Sequence, residues 1–347
     1  MKPRVFIGMS GGVDSSAAAY LLREQGYDVA GCTLLLRDGG EAEAEDARRV
    51  CEALKIPHMV LSLREAFQKA VIGDFLAAYT AGRTPNPCIR CNEAIKFGAM
   101  LDFALENGFS YIATGHYAAV SRDTKTGRYV LSAVPTGKDQ SYVLYRLSQA
   151  QLSHVLFPLA ALTKPEIRAI AEKANLPVAH KPESQDICFI PDGDYAAFLN
   201  RCGIPDTPGD FVDCTGRVLG RHRGIFHYTV GQRKGLGIAL GVPMYVVALD
   251  PKENRVVLGP EGSQYRSTLT VENMNWVSVA APAAPFRAQV KVRYQAKPAW
   301  ARLMPNADGT CGVQFDAPQR APAPGQAAVF YDGARVLGGG VIAPFTV

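Results

Sequence analysis

The sequence has no apolar run approaching the ~18–20 residues that a membrane-spanning helix needs, so a protein built on such helices is excluded. It carries no secretory leader pattern: the apolar stretch Val5–Met9 is short and runs straight into Ser10-Gly11-Gly12. Cysteine is scarce, with eight in 347 residues. That is too few for a disulfide scaffold and points to a reducing compartment, so a cytoplasmic location and no membrane association are expected. Internal repeats and low-complexity tracts are missing. With 48% hydrophobic and 20% charged residues, bulk disorder, collagen and coiled coil are excluded as well. There is no strong net charge, 37 − 32 = +5, but its distribution is uneven. Residues 1–200 hold 21 Lys/Arg against 22 Asp/Glu, residues 201–270 hold 9 against 6, and residues 271–347 hold 7 against 4. The basic surplus of the last 147 residues suits a polyanionic partner and equally suits a plain solvated surface.

What is present is an alternation of periods. Val5–Met9, Asp28–Leu36, His58–Leu61 and Tyr111–Thr114 read as strands, with helices at Ser16–Glu24, Glu41–Leu54, Arg64–Tyr79 and Glu93–Glu106. This predicts an α/β fold with a parallel sheet covered by helices on both faces. Thr163-Lys-Pro-Glu166 opens a further helix, with Thr163 as N-cap and Glu166 as its capping-box partner. From Gly203 a turn-rich linker leads to short β-type runs: Phe211–Asp213, Tyr245–Leu249, Val256–Leu258, Gln289–Val292, Gly312–Phe315 and Ala327–Tyr331. Three domains are expected: a catalytic domain at 1–202, a central β-rich domain at 203–268 and a C-terminal β-barrel at 269–347.

The sharpest local signal is Ser10-Gly-Gly-Val-Asp-Ser15, between a buried strand and a helix. Free N–H groups and the positive end of a helix dipole suit a phosphate there. The loop has no Lys-Ser/Thr pair of a Walker A motif and no G-x-G-x-x-G spacing. Asp14 suits Mg²⁺ coordination or loop geometry. The second signal is Thr84-Pro-Asn-Pro-Cys-Ile-Arg-Cys-Asn-Glu-Ala-Ile-Lys-Phe97. Cys88 and Cys91 lie in a Pro-rich loop with a helix after Asn92, and a helix N-terminus would lower the Cys91 pKa. A redox pair, half a metal site, or a nucleophile with a neighbour all fit C-x-x-C. No second C-x-x-C or spaced His pair supports zinc. The third signal is Cys188, within Lys181-Pro-Glu-Ser-Gln-Asp-Ile-Cys-Phe-Ile190.

These three, with Thr114-Gly-His-Tyr117, Gly137-Lys-Asp-Gln-Ser-Tyr142, Phe226–Gly237, Val292-Arg-Tyr-Gln295 and Ala323–Gly333, occur in one order along the chain. Together they resemble the MnmA-type tRNA-specific 2-thiouridylases, members of the PP-loop ATP pyrophosphatases. The resemblance implies ATP-dependent replacement of the C2 oxygen of the wobble uridine by sulfur in tRNAs for lysine, glutamate and glutamine. It implies an ATP site made by Gly8, Met9, Ser10, Gly11, Gly12, Val13, Asp14 and Ser15, with Leu34 and Gly115. Cys91 would be the nucleophile and Cys188 the persulfide carrier, and the two could pair as a disulfide. Asn86, Pro87 and Cys88 would meet the target base. His116, Lys138, Asp139, Gln140, Arg293, Tyr294 and Gln326 would contact the tRNA anticodon stem-loop. ATP and Mg²⁺ are the implied cofactors, with a cysteine desulfurase or sulfur-relay protein as donor and a monomer as the working form. Cys88 stands where some members carry Asp, so a carboxylate proton-transfer role does not carry over. A variant of the reading makes Cys88, Cys91 and Cys188 the ligands of an iron–sulfur cluster.

Overall fold

The structure is a computed structural model that describes residues 2–182 and 187–345. Its first region contains β1 (Arg4–Gly8), β2 (Asp28–Leu35), β3 (His58–Ser62), β4 (Tyr111–Ala113), a hairpin of β5 (Ala119–Arg122) and β6 (Tyr129–Ser132), and β7 (Val155–Leu156). Five of these form a parallel sheet in the order β3-β2-β1-β4-β7. Val5, Phe6 and Ile7 of β1 have no exposed surface, as a central parallel strand covered on both faces requires. Their pleat splits the core. Phe6 packs with Phe97, Met100 and Ile112, while Val5 and Ile7 pack with Ala17, Leu22 and Val50. The α/β fold expected from the alternating periods is therefore the one observed.

The helices fall close to their expected places. Val13–Glu24 and Glu41–Leu54 flank β2. Lys164–Lys173 opens with Glu166 accepting from both the backbone N–H (2.7 Å) and the hydroxyl (2.6 Å) of Thr163. One expectation fails. The helix does not begin after Asn92: Pro87–Cys91, the π-helical Asn92–Ala99 and Met100–Glu106 run on as one helix. Pro87 occupies the first turn, where a missing N–H costs nothing, and the Asn86 side chain accepts from the Cys88 N–H at 3.1 Å. Both cysteines are thus helical, and Cys88, not Cys91, sits in the first turn.

Two β units follow. β8 (Gly209–Asp213), β9 (Val218–His222), β10 (Met244–Asp250) and β11 (Arg255–Pro260) form a four-stranded sheet in the order β10-β11-β8-β9. β12 (Tyr265–Asn275), β13 (Phe286–Lys291), β14 (Ala299–Pro305), β15 (Cys311–Arg320), β16 (Ala327–Asp332) and β17 (Arg335–Ile342) close into a six-stranded barrel through the β12–β17 pairing. The hairpin β5–β6 adds to this barrel at β17, not to the parallel sheet. The barrel shares a core with the first region, where Val277, Ala327, Val329 and Tyr331 pack with Leu131, Tyr142 and Tyr145. No helix among the described residues is long and apolar enough to cross a membrane.

Candidate active site

The loop after β1 is held by its own hydroxyls. Ser10 N–H donates to Ser15 Oγ (3.2 Å), Ser15 Oγ lies 3.3 Å from the Gly12 carbonyl, and Ser16 Oγ donates to the same carbonyl at 2.8 Å. Gly11 supplies the left-handed turn, φ +67°, that lets the chain reverse into the helix. Lys181 Nζ braces the loop from outside, donating to the Gly11 carbonyl (3.0 Å) and to Asp46 (2.5 Å). Beneath the loop lies a cleft of about 290 Å³, at the small end for a cofactor-sized site.

Gly8, Met9, Ser10, Asp14, Ser15, Leu34, Gly115, His116 and Gln140 line this cleft, as do Cys32, Leu36, Lys96, Met100 and Thr114. Within the expected 8–15 stretch, Gly11, Gly12 and Val13 are not part of the lining, and Val13 packs into the core. His116 is buried between Phe97 and Phe157, and its Nδ1 lies 2.8 Å from Thr114 Oγ1. Burial first, and the charge of Lys96 second, hold its imidazole well below the ordinary range, so it is neutral at pH 7.

Asp14 is the sole carboxylate in the lining among the described residues. Its Oδ1 accepts from Lys164 Nζ at 2.6 Å and from the Tyr117 hydroxyl at 2.9 Å. Mg²⁺ in such sites takes one or two carboxylates and completes its shell with substrate phosphates and water. Asp14 fits that use as a single ligand. No group of three or more His, Cys, Asp or Glu among the described residues is gathered to hold a metal ion. That gives no support to Cys88, Cys91 and Cys188 as a ready cluster site.

The cysteines stand beside the cleft. Cys91 is buried in a cluster with Ile95, Phe189, Ile190 and Phe226. Its thiol is pushed up to about 11, by burial above all, with Lys96 pulling it down and Cys188 and Cys88 pushing it up. The lowering expected from a helix N-terminus is therefore not seen, because Cys91 lies a full turn past the helix start inside an apolar cluster. Cys188 is exposed, and its thiol is also raised by desolvation and by Cys88, against Lys96 and Arg37. The three sulfurs thus lie within one another's electrostatic reach. All eight cysteines are free thiols. Glu183, Ser184, Gln185 and Asp186 of the Cys188 motif lie outside the described residues.

The residues expected at a nucleic acid divide. Asp139 accepts from the Ser141 N–H (3.1 Å) and hydroxyl (2.9 Å), and Gln140 accepts from the Tyr117 N–H at 3.0 Å, so both side chains hold the loop beside the cleft. Lys138 is half-buried on that loop. Gln326 reaches across from the barrel and donates to the carbonyls of Thr84 (2.8 Å) and Pro85 (3.4 Å), just ahead of Asn86, Pro87 and Cys88. Arg293 is exposed and donates to the Arg320 carbonyl at 2.8 Å. Tyr294 is 39% exposed, and its phenol is raised by burial and by the nearby Asp139 and Cys88, which brings the barrel up to the cysteines.

Three family models cover almost the entire chain in order. Residues 3–192 match the tRNA methyl transferase HUP domain, 196–260 the tRNA methyl transferase PRC-barrel domain, and 266–342 the aminomethyltransferase beta-barrel domain. Curated relatives match from end to end. A tRNA-specific 2-thiouridylase MnmA of Acetivibrio thermocellus is 49% identical over 98% of this chain and 99% of its own. Its counterpart in Chloroflexus aggregans is 51% identical over 98% of both chains. The chain belongs to the tRNA-specific 2-thiouridylase family. A further relative of that name, in Heliobacterium modesticaldum, is 50% identical over 99% of this chain and 93% of its own.

Lys96, which lines the cleft, and Tyr117, Lys164 and Lys181, which hold Asp14 and the loop, are positions that reading the sequence did not single out. All four stood inside quoted motifs: Lys96 before Phe97, Tyr117 closing Thr114–Tyr117, Lys164 after Thr163, and Lys181 opening Lys181–Ile190. Nothing local separates such a lysine from an ordinary surface one. Only the fold turns Lys96 toward the cleft and Lys164 toward Asp14.

Proposed function

We propose that the chain is an ATP-dependent tRNA 2-thiouridylase that exchanges the C2 oxygen of the wobble uridine, U34, for sulfur in tRNAs for lysine, glutamate and glutamine. One observation carries the reading. The cleft wall carries a phosphate-type loop and Lys96, and the charge of Lys96 reaches Cys91 and Cys188, which with Cys88 lie within electrostatic reach of one another. Methyl transfer, the activity in two of the domain descriptions, needs neither feature.

The chemistry follows from leaving groups. A carbonyl oxygen is too poor a leaving group to be displaced directly, so it is first activated. The uridine O2 attacks the α-phosphorus of ATP, the Pα–O–Pβ bond breaks, and pyrophosphate leaves toward the loop at Ser10–Ser15. The terminal sulfur of a Cys188 persulfide then attacks C2, the C2–O bond breaks, and AMP departs. The Cys91 thiolate next attacks Cys188 Sγ. The S–S bond breaks with its electron pair left on the sulfur at C2, which completes 2-thiouridine and leaves a Cys91–Cys188 disulfide. A thiol reductant and a fresh persulfide from a desulfurase or relay protein reset the site. Burial raises the thiols of Cys91 and Cys188 above the ordinary range in the free enzyme.

On this reading residues 1–202 carry the chemistry, and 203–268 and 269–347 hold the tRNA. Arg293 and Tyr294 contribute phosphate contact and stacking on an unpaired base. Asp14 would hold Mg²⁺, which would supply positive charge to offset that of the phosphates during activation. The test is reconstitution with ATP, Mg²⁺, a persulfide donor and unmodified tRNA, with nucleosides analysed by mass spectrometry. Thiouridine formed at U34 supports the reading. Its absence, with folded protein that binds tRNA, contradicts it.

A further inference from the structure

Among the described residues, Lys96 is the one cation in the lining of the cleft. The carboxylates nearest to it in the site, among the described residues, have other partners. Glu93, on its own helix, is bridged by Arg90 at 2.7 Å and Arg146 at 2.9 Å. Asp14, across the cleft, is held by Lys164 and Tyr117. Asp139 accepts from Ser141 and from the Val134 N–H. Lys96 itself has no salt bridge to a described residue. A half-buried ammonium at the wall of a cleft, with no counter-ion among the described residues, suits an anion brought in by a ligand.

The backbone is shaped to aim it there. Lys96 lies in the π-helical stretch Asn92–Ala99. In an α-helix, Cys91 and Lys96 would stand about 140° apart around the axis. The i→i+5 pattern of a π-helix brings residues five apart to one side, and such stretches recur at functional sites. The charge of Lys96 is felt by Cys91, Cys188 and His116 alike, so it stands in the cleft wall within electrostatic reach of the cysteines.

We propose that Lys96 grips the α-phosphate of the bound nucleotide, and with it the phosphate of the AMP leaving group. The assignment rests on the nucleotide reading of the cleft. The loop at Ser10–Ser15 takes the pyrophosphate portion, which leaves first. Lys96 takes the phosphate that stays on the activated uridine. When sulfur attacks C2, the C2–O bond breaks and its electron pair goes to the AMP phosphate oxygen, where the ammonium offsets the growing negative charge.

The test needs neither tRNA nor sulfur. Adenosine, AMP and ATP are each titrated calorimetrically against wild type, Lys96→Met and Lys96→Arg. Met keeps the length and apolar stem, and Arg keeps the charge. The assignment predicts that Lys96→Met loses about tenfold in AMP affinity, the scale of one charged hydrogen bond. Adenosine affinity should stay within about twofold, and Lys96→Arg should recover most of the AMP binding. Equal AMP affinity in wild type and Lys96→Met overturns the assignment and leaves the nucleotide reading standing. Parallel losses for AMP and adenosine overturn it too, because they mark Lys96 as a packing residue. A wild type that binds no AMP or ATP overturns both. Failure of the tRNA thiolation assay alone, with these affinities as predicted, counts against the thiolation reading and not against Lys96.

Discussion

Gly115 touches the phosphate-type loop from the opposite wall, and adding one methyl group there tests what the loop is for. A Cβ built on Gly115 would lie 2.9 Å from the Ser15 backbone nitrogen, 3.0 Å from the Asp14 carbonyl carbon and 3.1 Å from Asp14 Cβ. Ordinary contact needs about 3.5 Å, so in Gly115→Ala the loop and β4's following turn must part by roughly half an ångström. Two of the three atoms met are backbone, and no rotamer change relieves them. Overpacking of this kind costs about 1–3 kcal/mol, which a chain with two continuous cores tolerates. The effect on binding is larger in proportion. The displaced atom is the N–H of Ser15, one of the donors facing the cleft, and a misplacement of about 1 Å costs on the order of 10²-fold where geometry is tight. Half of that displacement predicts about a tenfold loss of ATP affinity in Gly115→Ala, with a cooperative melt retained. Calorimetric titration with ATP and a thermal melt on the same sample measure both. Wild-type ATP affinity in a folded Gly115→Ala protein would refute the assignment of this cleft to the nucleotide.

Three further outcomes follow from the same geometry. Gln326→Ala removes the donors that hold the Thr84 and Pro85 carbonyls, at about 1 kcal/mol each, so thiolation kcat should fall several-fold with tRNA affinity nearly unchanged; the reverse pattern would restore Gln326 to direct tRNA contact. Arg293→Gln should lower the slope of log tRNA affinity against log salt by about one, and an unchanged slope would remove Arg293 from the phosphate contacts. With its thiol raised to about 11 by burial, free Cys91 is ionised to roughly one part in a thousand at pH 8. Iodoacetamide should therefore label exposed Cys88 long before Cys91, and the Cys91 rate should climb up to about pH 11; a plateau below pH 9 would contradict the burial account.

The parallel sheet was legible in the sequence because its strands are short apolar runs with no competing period, and β1 is the clearest of them. The barrel was legible only in part. β12 alternates polar and half-exposed residues over eleven positions, too weak an apolar signal to register. β17 carries Gly338-Gly-Gly340, which reads as a turn. Its glycines are needed because a Cβ would meet the backbone oxygens of Asn275 at 2.3 Å, Ala328 at 2.6 Å and Glu272 at 2.4 Å as the barrel closes. The hairpin β5–β6 joins the barrel from about 200 residues away, a pairing that local pattern does not encode. The loop at Ser10–Ser15 and the cysteines were legible as motifs, because spacing and residue type carry the chemistry. The burial of Cys91 was not, since it depends on Phe189, Ile190 and Phe226 arriving from distant segments. Nor was the inward turn of Gln326.

The most direct measurement is a single-turnover assay on wild type, Cys91→Ser and Cys188→Ser, with Cys188 first loaded by a persulfide donor, following pyrophosphate release and 2-thiouridine in the same tube. Wild type should yield both products in equal amounts. Both variants should release pyrophosphate and form no 2-thiouridine, because activation of the uridine does not use the thiols and sulfur transfer does. Full 2-thiouridine formation by either variant would contradict the two-cysteine account.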